Sequence, residues 1–379
     1  MFASSTPSQL GRALGSMLSC LAIASLTLAA AFSAAQTPAA SDSKAEAVGV
    51  VDTTTPESLP PKPQVDLALV LPLNAPAYAR AAEAVYAGFV AAAAGGPVTY
   101  VVIPHAEDGV LEAFEAARRS GAKVIIGPLL RDDLKVIAQA NIDLPWTLAL
   151  NQSEDVAAGP VRMYTFSLAV ESDARAIAHR MRDDAVQNVA IVGGESPLMK
   201  RFAGAFATEW LLGGGNAPMT FRFDPAPEAL TVLKRELLKK PPDAALLAVD
   251  GNDAPLVKPF IGTITAYSSG LVFDQKSAAT LRDLDGLAIV EIPWLVTPGA
   301  PEITKYPRRD FGSASLDRLY ALGLDAFRIA QALREGPPDQ FVLEGATGHV
   351  TLAEGRQFVR EGRLSVYRAG QLAPLDGGR

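Results

Sequence analysis

From Val65 onward, short apolar runs alternate with amphipathic helical segments, and this alternation restricts the fold more than any other feature. Val65–Leu73, Val98–Pro104, Ala122–Gly127 and Trp146–Asn151 are the runs. Between them Tyr78–Ala94, Val110–Ser120 and Asp132–Ala140 place apolar residues at spacings of three and four. The runs lack a strict apolar–polar alternation, as expected of parallel strands covered on both faces. Repeated strand–helix–strand order predicts one doubly wound, mostly parallel sheet. A second series follows Arg162–Ala169, with runs at Val189–Gly193, Met219–Phe223, Ala244–Val249, Leu271–Phe273 and Leu287–Val296. Its helices are predicted at Asp173–Arg182, Leu198–Leu212, Pro227–Lys239 and Leu256–Ile261. Two such series in one chain predict an α/β fold of two lobes with a cleft between them.

Ser315–Arg334 is the most regular helix, with Leu316, Leu319, Tyr320, Gly323, Phe327 and Ala330 on one face. After it the chain turns to strands at Gly348–Leu352, Gln357–Arg360 and Leu364–Tyr367. The expected division is residues 65–169 with 310–338 for lobe 1, and 170–309 with 339–379 for lobe 2.

The first 35 residues are of another kind. Arg12 is their only charged side chain, an apolar run extends from Met17 to Phe32, and Ser33-Ala34-Ala35 precedes Gln36. That pattern is a secretory signal peptide over 1–35, ending the mature chain's export signal at Ala35. Residues 36–64 are rich in Pro, Ser, Thr, Ala and charge and read as a flexible tether. Cys20 is the only cysteine. Lipidation at Cys20 would leave an apolar Leu21–Phe32 segment on the mature chain, so loss of Cys20 with the signal is the stronger of two readings. The segment predicts an exported protein.

The chain's 49 % hydrophobic and 20 % charged residues describe a globular protein. A net charge of −7 offers no broadly basic surface, and nucleic acid is not an expected partner. Only His105, His179 and His349 are available, without metal-ligand spacing, and no nucleophile elbow or phosphate loop is present. No catalytic residue, metal or cofactor is predicted. His105, beside Glu107 and Asp108, reads as part of a solvated turn.

Doubly wound sheets bind ligands at the loops beyond the carboxyl ends of their strands. In lobe 1 these loops offer Asn74, Pro128, Leu129, Arg131, Asn151, Gln152 and Ser153. Pro128 suits the first position of a helix, whose free N–H groups would face the cleft. Arg131 could then grip an anion, or pair with Asp132 or Asp133 on the surface. In lobe 2 the matching loops offer Glu195, Ser196, Asp250 and Asn252. Each of these residues can equally serve as a cap or turn former.

Several stretches resemble a known family. They are Ile126-Gly127-Pro128-Leu129-Leu130-Arg131, Leu148-Ala149-Leu150-Asn151, Phe166-Ser167-Leu168, Leu284-Asp285-Gly286-Leu287 and Ile292-Pro293-Trp294-Leu295. Tyr320-Ala321-Leu322-Gly323-Leu324-Asp325-Ala326-Phe327 and Gly345-Ala346-Thr347-Gly348 complete the set. These are similar to the LppC/LpoA-like activators of penicillin-binding proteins, over roughly Val65 to Leu375. The resemblance implies a type I periplasmic-binding-protein fold, the C-terminal half of the family's larger members, with three crossings between lobes. It also implies a non-catalytic regulator of peptidoglycan synthesis in the periplasm, anchored to the outer membrane if Cys20 is lipidated, whose partner is a class A penicillin-binding protein. The strand-end loops leave room for a small-molecule ligand in the cleft. The alternative is the substrate-binding protein of an ABC transporter of the branched-chain amino-acid type. Receptors of that type hold the zwitterion with Ser or Thr hydroxyls at the lobe-one turn, where this chain has Leu129-Leu130-Arg131.

Overall fold

The computed structural model describes residues 65–140, 142–152, 160–272 and 278–375. The segments expected to be signal and tether, 1–35 and 36–64, lie outside the described residues, as do Cys20 and Ser153.

The first series of runs forms strands β1 (Leu67–Leu71), β2 (Tyr100–Pro104), β3 (Val124–Ile126), β4 (Trp146–Ala149) and β5 (Met163–Phe166). The second sheet holds β6 (Val189–Gly193), β7 (Met219–Arg222), β8 (Ala244–Ala248), β9 (Thr265–Ser269) and β10 (Leu287–Glu291). β9 precedes the predicted run Leu271–Phe273, whose described residues belong to the 3-10 turn Gly270–Val272 instead. Each series pairs internally in parallel. β1, β3, β8 and β10 are buried at every position, because helices cover both faces of each sheet.

The last strands are β11 (Val342–Glu344), β12 (His349–Ala353), β13 (Gln357–Glu361), β14 (Arg363–Arg368) and β15 (Gln371–Pro374). The first sheet runs β11-β12-β13-β5-β4-β3-β1-β2, and the second β15-β14-β10-β9-β8-β6-β7. The sequence-based expectation that residues 339–379 all belong to lobe 2 is therefore corrected. β13 pairs in parallel with β5, Phe358 opposite Phe166, and Val350 and Phe358 enter the core of lobe 1. The chain passes to lobe 2 only at Gly362, between β13 and β14. The apolar residues of both hairpins match either core, so pairing partners decided the division, and they leave no local mark in the sequence. The other two passages between sheets run from β5 into the helix Val170–Asp183, and from β10 to the helix Ala314–Glu335.

The long helix Ala314–Glu335 lies against the helix Ala79–Ala93, and two glycines set their separation. A Cβ on Gly88 would stand 1.9 Å from the Tyr320 carbonyl oxygen, and one on Gly323 would stand 2.0 Å from that of Val85. Phe327 is buried beneath this crossing, edge-on to Phe89 with centroids 5.2 Å apart. Two residues on from Gly323, the side chain of Asp325 is fully buried. It accepts from the backbone N–H of Ala346 (3.0 Å), the N–H of Thr347 (2.8 Å) and the Thr347 hydroxyl (2.7 Å). Ala346 in turn accepts from the Trp294 N–H, and Trp294 packs on Tyr320. Three separated motifs, Pro293-Trp294-Leu295, Tyr320 to Phe327 and Gly345 to Gly348, thus form one packed cluster.

Candidate functional site

The cleft between the lobes holds two adjoining cavities that share Leu168, Val170 and Leu319. The outer one, about 210 Å³, is lined by Leu129, Arg131, Leu150 and Asn151 of lobe 1 and by Val170, Leu198 and Arg201 from the other side. The first turns of three helices, Arg131–Gln139, Val170–Asp183 and Pro197–Leu212, supply Arg131, Val170 and Leu198 to this wall. Their dipoles make the cavity favourable to negative charge.

Asn151 is the joint of the lobe-one side. Its Nδ2 donates to the Leu129 carbonyl (2.9 Å), while its Oδ1 accepts from the Gln152 N–H (2.9 Å) and from Arg131 Nε (3.3 Å). Arg131 is thus turned to Asn151. Pro128 does not open the helix, which begins at Arg131 with Leu130 as its cap residue. The turn is instead tied to its neighbours: Gly127 has φ +121°, a Cβ there would meet the Val70 oxygen at 2.3 Å, and the Pro128 carbonyl accepts from the Leu150 N–H. These bonds delay the helix by three residues. Asn74 is exposed and lines neither cavity; its N–H donates to the His105 carbonyl.

The lobe-two candidates stand on the rim. Glu195 is exposed and pairs with Lys200 (2.8 Å) and Arg222 (2.9 Å), which hold its carboxyl below the usual range. Ser196 caps the helix Pro197–Leu212 by accepting from the Met199 N–H, and its hydroxyl donates to Asp250 (3.0 Å). Asn252 is exposed. None of these four lines a cleft cavity.

His105 is not in a solvated turn. It is buried because the end of β2 is stitched to β1, His105 N–H to the Leu71 oxygen and Asn74 N–H to the His105 oxygen. Its Nδ1 is 2.8 Å from the Ala106 carbonyl oxygen and its Nε2 faces Asp133 at 3.8 Å, where burial raises the carboxyl pKa.

The inner cavity, about 170 Å³, was not foreseen from the sequence. Leu168, Val170, Leu271, Val290 and Leu319 give it an apolar wall, and four charged side chains give it a floor. All four are nine-tenths or more buried: Asp173 is 6 % exposed, Glu291 2 %, Arg318 8 % and Arg360 4 %. They form two ion pairs, each joining an element of one lobe to an element of the other. Arg318, on the helix Ala314–Glu335, donates to Glu291 at the end of β10 from Nε (3.0 Å) and Nη2 (2.5 Å), and to the Gly270 carbonyl (2.7 Å). Glu291 also accepts from the Ile292 N–H (2.8 Å). Arg360, on β13, donates from Nη2 to Asp173 Oδ2 (3.1 Å) on the helix Val170–Asp183. Asp173 Oδ1 is 3.0 Å from the same nitrogen but has no hydrogen-bond geometry, and Arg360 Nε and Nη1 have no partner. Burial pushes the Asp173 carboxyl up to about 6, against the pull of Arg360. The sequence did carry a signal for Arg360, which falls in phase with the core residue Phe358 on β13. An arginine on the apolar face of a strand needs a buried partner.

A family model described as "LppC putative lipoprotein" matches residues 58–238 and 234–370. The chain belongs to the LppC family. Among curated relatives, the penicillin-binding protein activator LpoA of Enterobacter sp. (strain 638) is 26 % identical over 310 residues, 69 % of this chain and 42 % of that protein. LpoA of Escherichia coli (strain K12) is 26 % identical over 311 residues, 70 % of this chain and 45 % of that protein. The chain spans about half the length of the curated relatives it matches. The C-domain of Haemophilus influenzae LpoA, titled a regulator of PBP1A, superposes with TM-score 0.71 at 21 % identity, covering 82 % of this chain and all of that one. A Chromobacterium violaceum structure, titled a "putative branched-chain amino acid ABC transporter", gives TM-score 0.72 at 31 % identity, covering 80 % and 100 %. The LppC chain therefore has the two-lobed type I periplasmic-binding-protein fold, each lobe a mostly parallel sheet.

Proposed function

We propose that this LppC protein is a non-catalytic periplasmic regulator that activates a class A penicillin-binding protein, and through it peptidoglycan synthesis. The observation carrying the reading is that relatives named penicillin-binding protein activators align along most of the two-lobed body. The test is direct contact and its effect. Full-length protein passed over an immobilised class A synthase should bind saturably, and should raise the synthase's rate of glycan polymerisation or cross-linking. No binding together with an unchanged rate would sink the proposal.

Export belongs to the same reading. The Met17–Phe32 run and Ser33-Ala34-Ala35 place cleavage before Gln36, which removes Cys20. The mature N-terminus read by mass spectrometry should be Gln36, and Cys20→Ser should leave localisation unchanged. Membrane release by that substitution would instead support a lipid anchor.

The likeness to the Chromobacterium violaceum protein favours a second reading, a receptor for a branched-chain amino acid. The lobe-one turn carries Leu129, Leu130 and Arg131 and lacks hydroxyls for a zwitterion. Titration of leucine, isoleucine or valine should therefore release no heat. Tight binding without synthase contact would promote the receptor reading.

A further inference from the structure

Two features of the inner cavity need an occupant. Arg360 lines it, is 4 % exposed, and leaves Nε and Nη1 without a hydrogen-bond partner. A buried guanidinium with idle N–H groups costs free energy unless something accepts from it. The rest of the wall is Leu168, Val170, Gly270, Leu271, Val290, Ser315 and Leu319; Ser315 alone among them carries a side-chain acceptor, and it does not partner Arg360. The other arginine of the floor is engaged by Glu291 and Gly270.

We propose that this cavity is a binding site for a small monocarboxylate with an apolar body, its carboxyl group held by Arg360 and its body by the leucine and valine wall. The assignment does not rest on the synthase proposal. Size supports the assignment: the cavity is about 170 Å³, and one of about 150 Å³ accepts a benzene ring. Chemistry supports it too, because each idle guanidinium N–H can donate a charge-assisted hydrogen bond to a carboxylate oxygen.

Charge determines how the ligand enters. Around Asp173 stand Arg360 from β13, Glu291 from β10 and Arg318 from the helix Ala314–Glu335. Arg201, on the neighbouring helix, is taken by Glu171 (2.8 Å). These four floor charges sum to zero, so an incoming carboxylate would meet Asp173 as a like charge. Asp173 Oδ1 is without a hydrogen bond, and burial already favours its neutral form. The ligand therefore binds with uptake of one proton, shared between its carboxyl group and Asp173, as two neighbouring carboxyls share one elsewhere. Binding then tightens as pH falls towards about 6 and levels off below it, where Asp173 of the free protein already holds the proton.

Benzoate is a suitable probe and benzamide its uncharged control. With the full-length protein, benzoate should bind saturably by calorimetry and raise the melting midpoint, and benzamide should do neither. Binding should be several-fold tighter at about pH 5.5 than at about pH 7.5. Leu319→Phe, which fills the cavity and leaves both ion pairs intact, should weaken it by at least about tenfold. The double variant Arg360→Gln/Asp173→Asn removes the donors and their counter-charge together, avoids a lone buried charge, and should weaken it equally. Absence of benzoate binding to the parent protein, an equal response to benzamide, or undiminished binding in either variant would overturn the proposal.

Discussion

The two ion pairs at the cleft floor are alike in burial and in bridging the lobes, and differ in how completely they are satisfied. Glu291 receives Arg318 through two nitrogens and the Ile292 N–H besides, and Arg318 also holds the Gly270 carbonyl. Asp173 receives one hydrogen bond from Arg360, which leaves two nitrogens and one carboxylate oxygen idle. A buried charge is tolerated when its hydrogen-bonding capacity is spent. The first pair meets that condition and belongs to the framework holding the lobes. The second does not, and its incompleteness is what gives the inner cavity chemistry.

Removing one partner of the complete pair breaks the comparison most severely. Glu291→Ala leaves Arg318 buried without a counter-charge, which should cost about 3–5 kcal/mol. Urea unfolding would read this directly. A loss below about 1 kcal/mol would place Arg318 in contact with water and remove the distinction between the pairs.

The incomplete pair has a pH signature. Because burial raises Asp173 from 3.8 to about 6, the folded protein keeps a proton there that the unfolded chain has released. This contribution is full below the unfolded value, near pH 3.8, and is lost as pH rises through about 6. The interval corresponds to about 3 kcal/mol. Asp173→Asn should flatten the stability difference across that window, so that the parent gains on the variant as pH falls from about 7 to about 4. Parallel stability curves for parent and variant would show that Asp173 is solvated and ordinary.

Much of the framework was legible before the structure, and most of the site was not. The unbroken apolar runs from Val65 to Val296 predicted two parallel sheets because burial on both faces removes polar residues from a strand. The glycine and aromatic face of Ser315–Arg334 predicted a buried helix, although not that Gly323 would meet Gly88's helix at backbone distance. The lobe of β11–β13 was misread, since a hairpin's own pattern does not name the sheet it joins. The site was sought in loops at the carboxyl ends of strands, which delivered Leu129, Arg131 and Asn151 to the outer cavity but left Glu195, Ser196 and Asp250 on the rim. Asp173, Glu291, Arg318 and Arg360 stand where the chain crosses between lobes, on helices and strand ends that a loop-centred search passes over. Arg360, in phase with Phe358, carried a local signal of burial, but only long-range pairing makes the four a buried set.

The smallest effect expected is at the rim, and it tests whether the rim and the floor are separate. Ser196 accepts from the Met199 N–H as the cap of the helix Pro197–Leu212 and donates to Asp250. Its truncation to alanine frees one helix N–H and one exposed carboxylate, for which water substitutes in part, so Ser196→Ala should cost about 1 kcal/mol. The capped helix also contributes Leu198 and Arg201 to the outer cavity, while the inner cavity takes nothing from it. Benzoate binding should therefore be the same in Ser196→Ala as in the parent, measured by calorimetry at one pH. If the substitution weakens benzoate several-fold while stability falls by no more than a helix cap, the ligand is held at the outer cavity. The division between a structural rim and a chemical floor would then be wrong.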